Sequence, residues 1–116
     1  MKEIIEKINM FRDERNWRQF HNEKDLAISI SLEASELLEL FQWKTSEETI
    51  SEKLPQIKEE LADVFMYALM LADNLNLNVE KIIADKIIIN SKKYPIKESF
   101  GSNKKYTELE GKESNG

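Results

Sequence analysis

The chain has 116 residues, 41% of them hydrophobic, with three Gly, two Pro, no Cys and a formal net charge of −5. That length holds one domain with a modest core. Without cysteine there are no disulfides, no thiol catalysis and no zinc–thiolate site, and the acidic balance argues against binding a nucleic acid polymer, which needs a basic face.

Lys2 to about Arg15 read as a first helix, with Ile4, Ile5, Ile8 and Phe11 at helical steps. Its charged start is no signal peptide, and no apolar run is long enough to span a bilayer, so a cytoplasmic protein with no membrane partner is expected. Asn16 to Asp25 breaks the period and reads as a loop, with Asp25 as N-cap of the next helix. That second helix runs from Leu26 to about Trp43, with Leu26, Ile30, Leu37 and Leu40 on one stripe. The position completing the stripe is Glu33. Glu36 sits one turn further on at the edge of the same face, and Glu39 points away.

Thr45 or Ser46 caps a short turn that ends before Pro55. The third helix, from about Pro55 to Asn76, carries Ile57, Leu61, Val64, Ala68, Ala72 and Leu75 as its core stripe. Glu60, Asp63 and Tyr67 lie along one edge of it, at i, i+3 and i+7. After a turn at Asn74 to Asn78, a fourth helix runs from Val79 to about Tyr94. It is apolar on more than one side (Ile82, Ile83, Ile87, Ile88, Ile89), which predicts a second protomer covering part of it. Pro95 ends the regular structure. The expected organisation is an all-α, four-helix-bundle-like domain over 1–96, oligomeric, followed by a polar tail over 97–116.

The strongest constellation is Glu33-x-x-Glu36 on one helix with Glu60-x-x-Asp63 on the next long one. Residues three apart are helix neighbours, so each pair presents its carboxylates together. An ionised carboxylate in an apolar seam is costly unless paired or metal-bound. If the two helices face each other, four anions converge, and a hard divalent ion relieves their repulsion. An all-oxygen set suits Mg²⁺, with Mn²⁺ as substitute. Acidic pairs at i, i+3 are also common on solvated helices, and Glu60 with Asp63 alone favours neither reading. Glu33 in the middle of its stripe decides for a site.

Two further groups are weaker. Trp17 and His21 precede the acidic helix and Trp43 ends it, so two indoles flank the acids and are placed to stack on a planar base. Phe20 reads instead as a lid over the core. Lys86, Asn90 and Lys93 follow at i, i+4 and i+7, a side suited to phosphates, although a basic helix C-terminus is favoured by the helix dipole in any case.

Taken together, NWRQFH…SLEASELLELFQWK, then KEELADVFMYALMLAD, then DKIIINSKKYP, resemble the MazG-like all-α nucleoside triphosphate pyrophosphohydrolases, nearest their small dCTP pyrophosphatase branch. The resemblance covers about Phe11 to Pro95. It implies magnesium ligation by Glu33, Glu36, Glu60 and Asp63, and a base and sugar pocket lined by Trp17, His21 and Trp43. It puts Tyr67, Lys86, Asn90 and Tyr94 near the sugar and phosphates. It also implies cleavage between the α- and β-phosphates of a nucleoside triphosphate, dCTP or a modified dCTP, by a homodimer or homotetramer. Glu36, with Glu33, is the expected catalytic carboxylate, and Lys93 joins the phosphate side. The chain departs from many relatives at Ser35, where Gly is frequent, and in carrying Lys92 and Lys93 where Arg is common. The rival from another class is a catalytically silent helical dimerisation module that binds a nucleotide or protein partner.

Overall fold

The computed structural model describes residues 1–103, and every described element is helical: α1 (Lys2–Glu14), a 3₁₀ turn (Arg18–Phe20), α2 (Glu23–Glu39), α3 (Ser46–Asn74), α4 (Val79–Lys93) and the one-turn α5 (Ile96–Ser99). No described helix is long and apolar enough to cross a membrane. The chain divides into two compact units, Met1–Asn78 and the segment from Val79 onward.

In the first unit α2 packs along α3, and α1 packs on α3 as well. α1 buries Ile8, and it ends in a Schellman cap. Asn16 takes the left-handed φ of 53°, its N–H donates to the Asp13 carbonyl and the Trp17 N–H donates to the Arg12 carbonyl at 2.9 Å. α3 ends the same way, with Asn76 at φ 55° and the Leu77 N–H on the Ala72 carbonyl. Asparagine tolerates this conformation because its short polar side chain meets little steric opposition there. These two caps fix where Trp17 leaves α1 and where Asp73 and Asn74 finish α3.

α2 starts three residues earlier than expected. Asn22, not Asp25, is the N-cap: its Oδ1 accepts the Asp25 N–H at 2.9 Å, and its Nδ2 donates to the Asp25 carboxylate at 2.8 Å. Leu26 is 1% exposed and Ile30, Leu37 and Leu40 are half-buried, as the stripe predicted. Full burial of one leucine contributes about 2 kcal/mol. The helix stops at Glu39 rather than Trp43, because three successive i to i+3 bonds tighten the chain into turns at Leu40, Phe41 and Gln42. Trp43 then sits at φ 64°.

Thr45 opens α3 through a capping box with Glu48. The helix breaks at Lys53 (φ −130°), two residues before Pro55, whose ring clashes with the Ser51 carbonyl and offers no N–H. Thr49, fully buried, donates to the Leu40 carbonyl at 3.2 Å and ties the first part of α3 to the end of α2. The buried face of the second part matches the expected stripe only in part. Ala72 is buried and Ile57 and Val64 are half-buried as read, but Leu61, Ala68 and Leu75 are exposed, and Leu69 and Met70, outside the stripe, are buried. The side of α3 turned to α1 and α2 is the side that carries Glu60, Asp63 and Tyr67.

Two smaller expectations change. Phe20 is no lid, being 63% exposed. Pro95 does not end the regular structure but precedes α5 as its N-cap residue. Of the predicted polar tail over 97–116, residues 104–116 lie outside the described residues. In α4, taken by itself, Ile82, Ile83, Ile87, Ile88 and Ile89 are all exposed, so the apolar excess read in the sequence is present on the helix surface.

Candidate metal centre and aromatic cavity

Glu33 and Glu36 project from adjacent turns of α2, and Glu60 projects from α3 beside them. One carboxylate oxygen of each lies within 4.8 Å of the others. Glu33 and Glu60 are half-buried, and each has an inward oxygen, Oε2, with no hydrogen-bond partner. Buried polar atoms are ordinarily satisfied, so two unpartnered carboxylate oxygens in one cluster form a donor set suited to a cation. Burial, then the neighbouring charges of Glu36 and Asp63, push the Glu33 carboxyl up to about 7. Glu60 is raised by burial and by Glu36. A set that ionises only reluctantly without a cation, and offers only oxygens, fits a hard divalent ion.

Asp63 stands apart from those three. It lies close enough for its charge to raise both Glu33 and Tyr67, yet its side chain lines the adjoining cavity. Phe11, Trp17, His21, Met66, Tyr67 and Met70 form the rest of that wall, around a volume of about 150 Å³. That equals the liquid volume of about five waters, room for one small ring. The aromatic rings meet edge to face: Phe11 to Trp17 at 5.5 Å, Trp17 to His21 at 6.4 Å and His21 to Tyr67 at 6.4 Å. This geometry is favourable for aromatic pairs. Burial, with Arg12 and Arg18 nearby, lowers the His21 pKa and so favours the neutral imidazole. Its Nδ1 is buried and unpartnered.

Of the expected site residues, Glu33, Glu36 and Glu60 come together as a cluster, and Trp17, His21, Tyr67 and Asp63 as the adjoining cavity. Trp43 does not join them within the chain. It lies beyond the end of α2, 92% exposed, and is not part of the cavity wall. Lys86, Asn90, Lys93 and Tyr94 belong to the second unit, where the Tyr94 N–H closes the last turn on the Asn90 carbonyl at 2.8 Å.

Sequence reasoning missed Arg12, Asp73 and Asn74. Arg12 is fully buried: its Nε donates to Asn9 Oδ1 at 3.1 Å, and its Nη2 to Asp73 Oδ2 at 3.2 Å and Asn74 Oδ1 at 3.1 Å. Asn74 in turn donates to the His21 carbonyl at 2.6 Å. The signal was present, since Arg12 follows Ile8 by four residues on the apolar stripe of α1, as Glu33 interrupts that of α2.

Comparison with known proteins places the chain among relatives. The MazG-like family matches residues 28–109. The chain is similar to dCTP pyrophosphatase 1 of Mus musculus and of Homo sapiens, 36% identical to each over 104 residues, or 85% of this chain. It spans 61% of the length of these curated relatives. It also resembles the crystal structure of a pyrophosphatase from Archaeoglobus fulgidus, with a TM-score of 0.78 and 39% identity, over 82% of this chain and 92% of that one.

Proposed function

The chain belongs to the MazG-like family, and from that premise we propose that it is a divalent-metal-dependent nucleoside triphosphate pyrophosphohydrolase. It converts a deoxynucleoside triphosphate, dCTP or a modified dCTP, to the monophosphate and pyrophosphate. The observation that carries this is the meeting of Glu33, Glu36 and Glu60 beside an aromatic cavity of single-ring size. The relatives named dCTP pyrophosphatase and the pyrophosphatase structure support the same reading.

Glu33, Glu36 and Glu60 hold Mg²⁺ or Mn²⁺, with Asp63 at the border between cluster and cavity. When bound, the cation supplies charge neutralisation for phosphate oxygens and acidifies water. Glu36, the exposed member of the cluster, takes the proton from the attacking water as its oxygen bonds to the α-phosphorus. The bond from that phosphorus to the oxygen bridging to the β-phosphorus breaks, and pyrophosphate leaves. Trp17, His21 and Tyr67 bind and orient the base and sugar and exclude water from them. Lys86, Asn90, Lys93 and Tyr94 take the phosphate role on the strength of the sequence pattern, as Trp43 takes a base-stacking role. The exposed isoleucines of α4 support self-association into a homodimer or homotetramer.

A nucleotide panel with and without Mg²⁺, scored for monophosphate and pyrophosphate, tests the reading. Mg²⁺-dependent release of dCMP and pyrophosphate from dCTP, with other nucleotides slow, is expected. Turnover of every nucleotide alike would remove the cytosine preference, and orthophosphate as product would overturn the cleavage position. Folded protein inert towards all nucleotides would favour a silent binding module.

A further inference from the structure

We propose that Arg12 is a positioning residue for the base cavity, acting through Asn74 on the segment Trp17 to His21. This rests on the hydrolase reading above and assigns a determinant of substrate affinity to a residue that touches no substrate.

The start of the segment is also held by Arg18, which pairs with Asp13 and Asp73, and by Trp17 against Phe11, so its His21 end is the one that relies on Asn74. Trp17 to His21 is one 3₁₀ turn with two internal backbone bonds, and its own Phe20 is exposed. Yet it supplies two walls of the cavity, Trp17 and His21, and His21 stands 6.4 Å from both Trp17 and Tyr67. Arg12 anchors both ends. At the start, its backbone carbonyl accepts the Trp17 N–H at 2.9 Å. At the end, its guanidinium donates to Asn74 Oδ1, and this fixes which way the Asn74 amide faces. With Oδ1 committed to Arg12, Nδ2 is directed to the His21 carbonyl, where it donates at 2.6 Å. A reversed amide would set two carbonyl oxygens against each other. Asp73 completes the brace by accepting from both Arg12 and Asn9 at 3.2 Å.

Folding alone does not ask for this. A buried guanidinium repays its desolvation only with good geometry, and an apolar side chain of similar volume often serves stability as well or better. Arg12 follows Ile8 on the buried face of α1, where leucine or methionine would pack. Arg12 also leaves its Nη1 unpartnered, a cost to stability with no return in packing.

Two variants separate positioning from packing. Asn74→Asp keeps an acceptor for Arg12 but sets an oxygen against the His21 carbonyl. Arg12→Met keeps volume on α1 and releases the Asn74 amide. Each is measured by dCTP kinetics and by hydrogen exchange along the chain. Both should raise KM about tenfold, the worth of one strong hydrogen bond, while kcat stays within about twofold. Exchange should quicken in residues 17–22 and remain slow in α2 and α3. The double variant should cost little more than either single one, because both break one linkage. Unchanged KM, or loss of kcat with KM retained, overturns the proposal. So does exchange that quickens throughout α1 and α3, which would make Arg12 a packing residue. A wild-type chain without turnover would instead count against the hydrolase reading, and slow exchange persisting at 17–22 in the variants would still dismiss the brace.

Discussion

Replacing Glu33 by Gln keeps the shape of the side chain and removes its charge, which sets stability against activity. In the metal-free protein the Glu33 carboxyl is pushed up to about 7, from an ordinary 4.5, by burial and by Glu36 and Asp63. A carboxyl raised in the folded state favours folding below its unfolded pKa, and that contribution is lost as pH rises from 4.5 through about 7. The full shift corresponds to about 3 kcal/mol, but water reaches much of the cluster, and screening reduces this to about 1 kcal/mol. Without metal, wild type should therefore melt about 5 °C lower at high pH than at mildly acid pH, from this group alone. Glu33→Gln should abolish that slope and melt higher than wild type under alkaline, chelated conditions. Adding Mg²⁺ should stabilise wild type strongly and the variant weakly, since a ligand that binds only the native state stabilises it in proportion to log concentration. Turnover should fall by orders of magnitude in the same variant. The assay is thermal unfolding across pH, with chelator or with Mg²⁺, paired with dCTP hydrolysis. A variant less stable than wild type in chelator at high pH would refute the reasoning, because Glu33 would then be held by satisfied contacts rather than strained by its neighbours.

Other consequences follow from single residues. His21, the only histidine, should titrate by NMR below 6.5, because burial and the nearby Arg12 and Arg18 lower its pKa. Stability from this group is thus lost as pH falls below 6.5, and a midpoint at or above that value would contradict the site's electrostatics. Trp43 carries about 1 kcal/mol of left-handed backbone strain while 92% exposed, so Trp43→Gly should not lower the melting temperature but should raise KM. A marked loss of stability in that variant would make Trp43 a packing residue. Thr49→Val should shift the denaturant midpoint by about 1 kcal/mol of stability, as the bond from the fully buried Thr49 to the Leu40 carbonyl disappears. An unshifted midpoint would mean that this tie between α2 and α3 carries nothing.

Helix type, order and the acidic pairs were legible along the chain because they depend on neighbours three and four residues apart. Leu26, Ile30, Leu37 and Leu40 sit on the inward side of α2, and Glu33 interrupts them as read. Helix ends were less legible, since caps compete locally: Asn22 and Asp25 are both good N-caps, and the one that also gains the partner's side chain prevails. The face of α3 that turns inward was only partly written in its apolar period, which gave Ala72 but not Leu69 or Met70. Leu61 and Ala68 are as apolar as Leu69 and Met70, and hydrophobicity does not say which face meets α2 and which stays exposed. Packing between distant segments decided that, and with it the placing of Asp63 on the cavity rather than inside the carboxylate cluster. Arg12 and Asn74 are 62 residues apart, and their pairing exists only because α1 and α3 end side by side. Periodicity is set by the geometry of one helix, whereas a contact across the fold is chosen by the burial and hydrogen bonding of many groups at once.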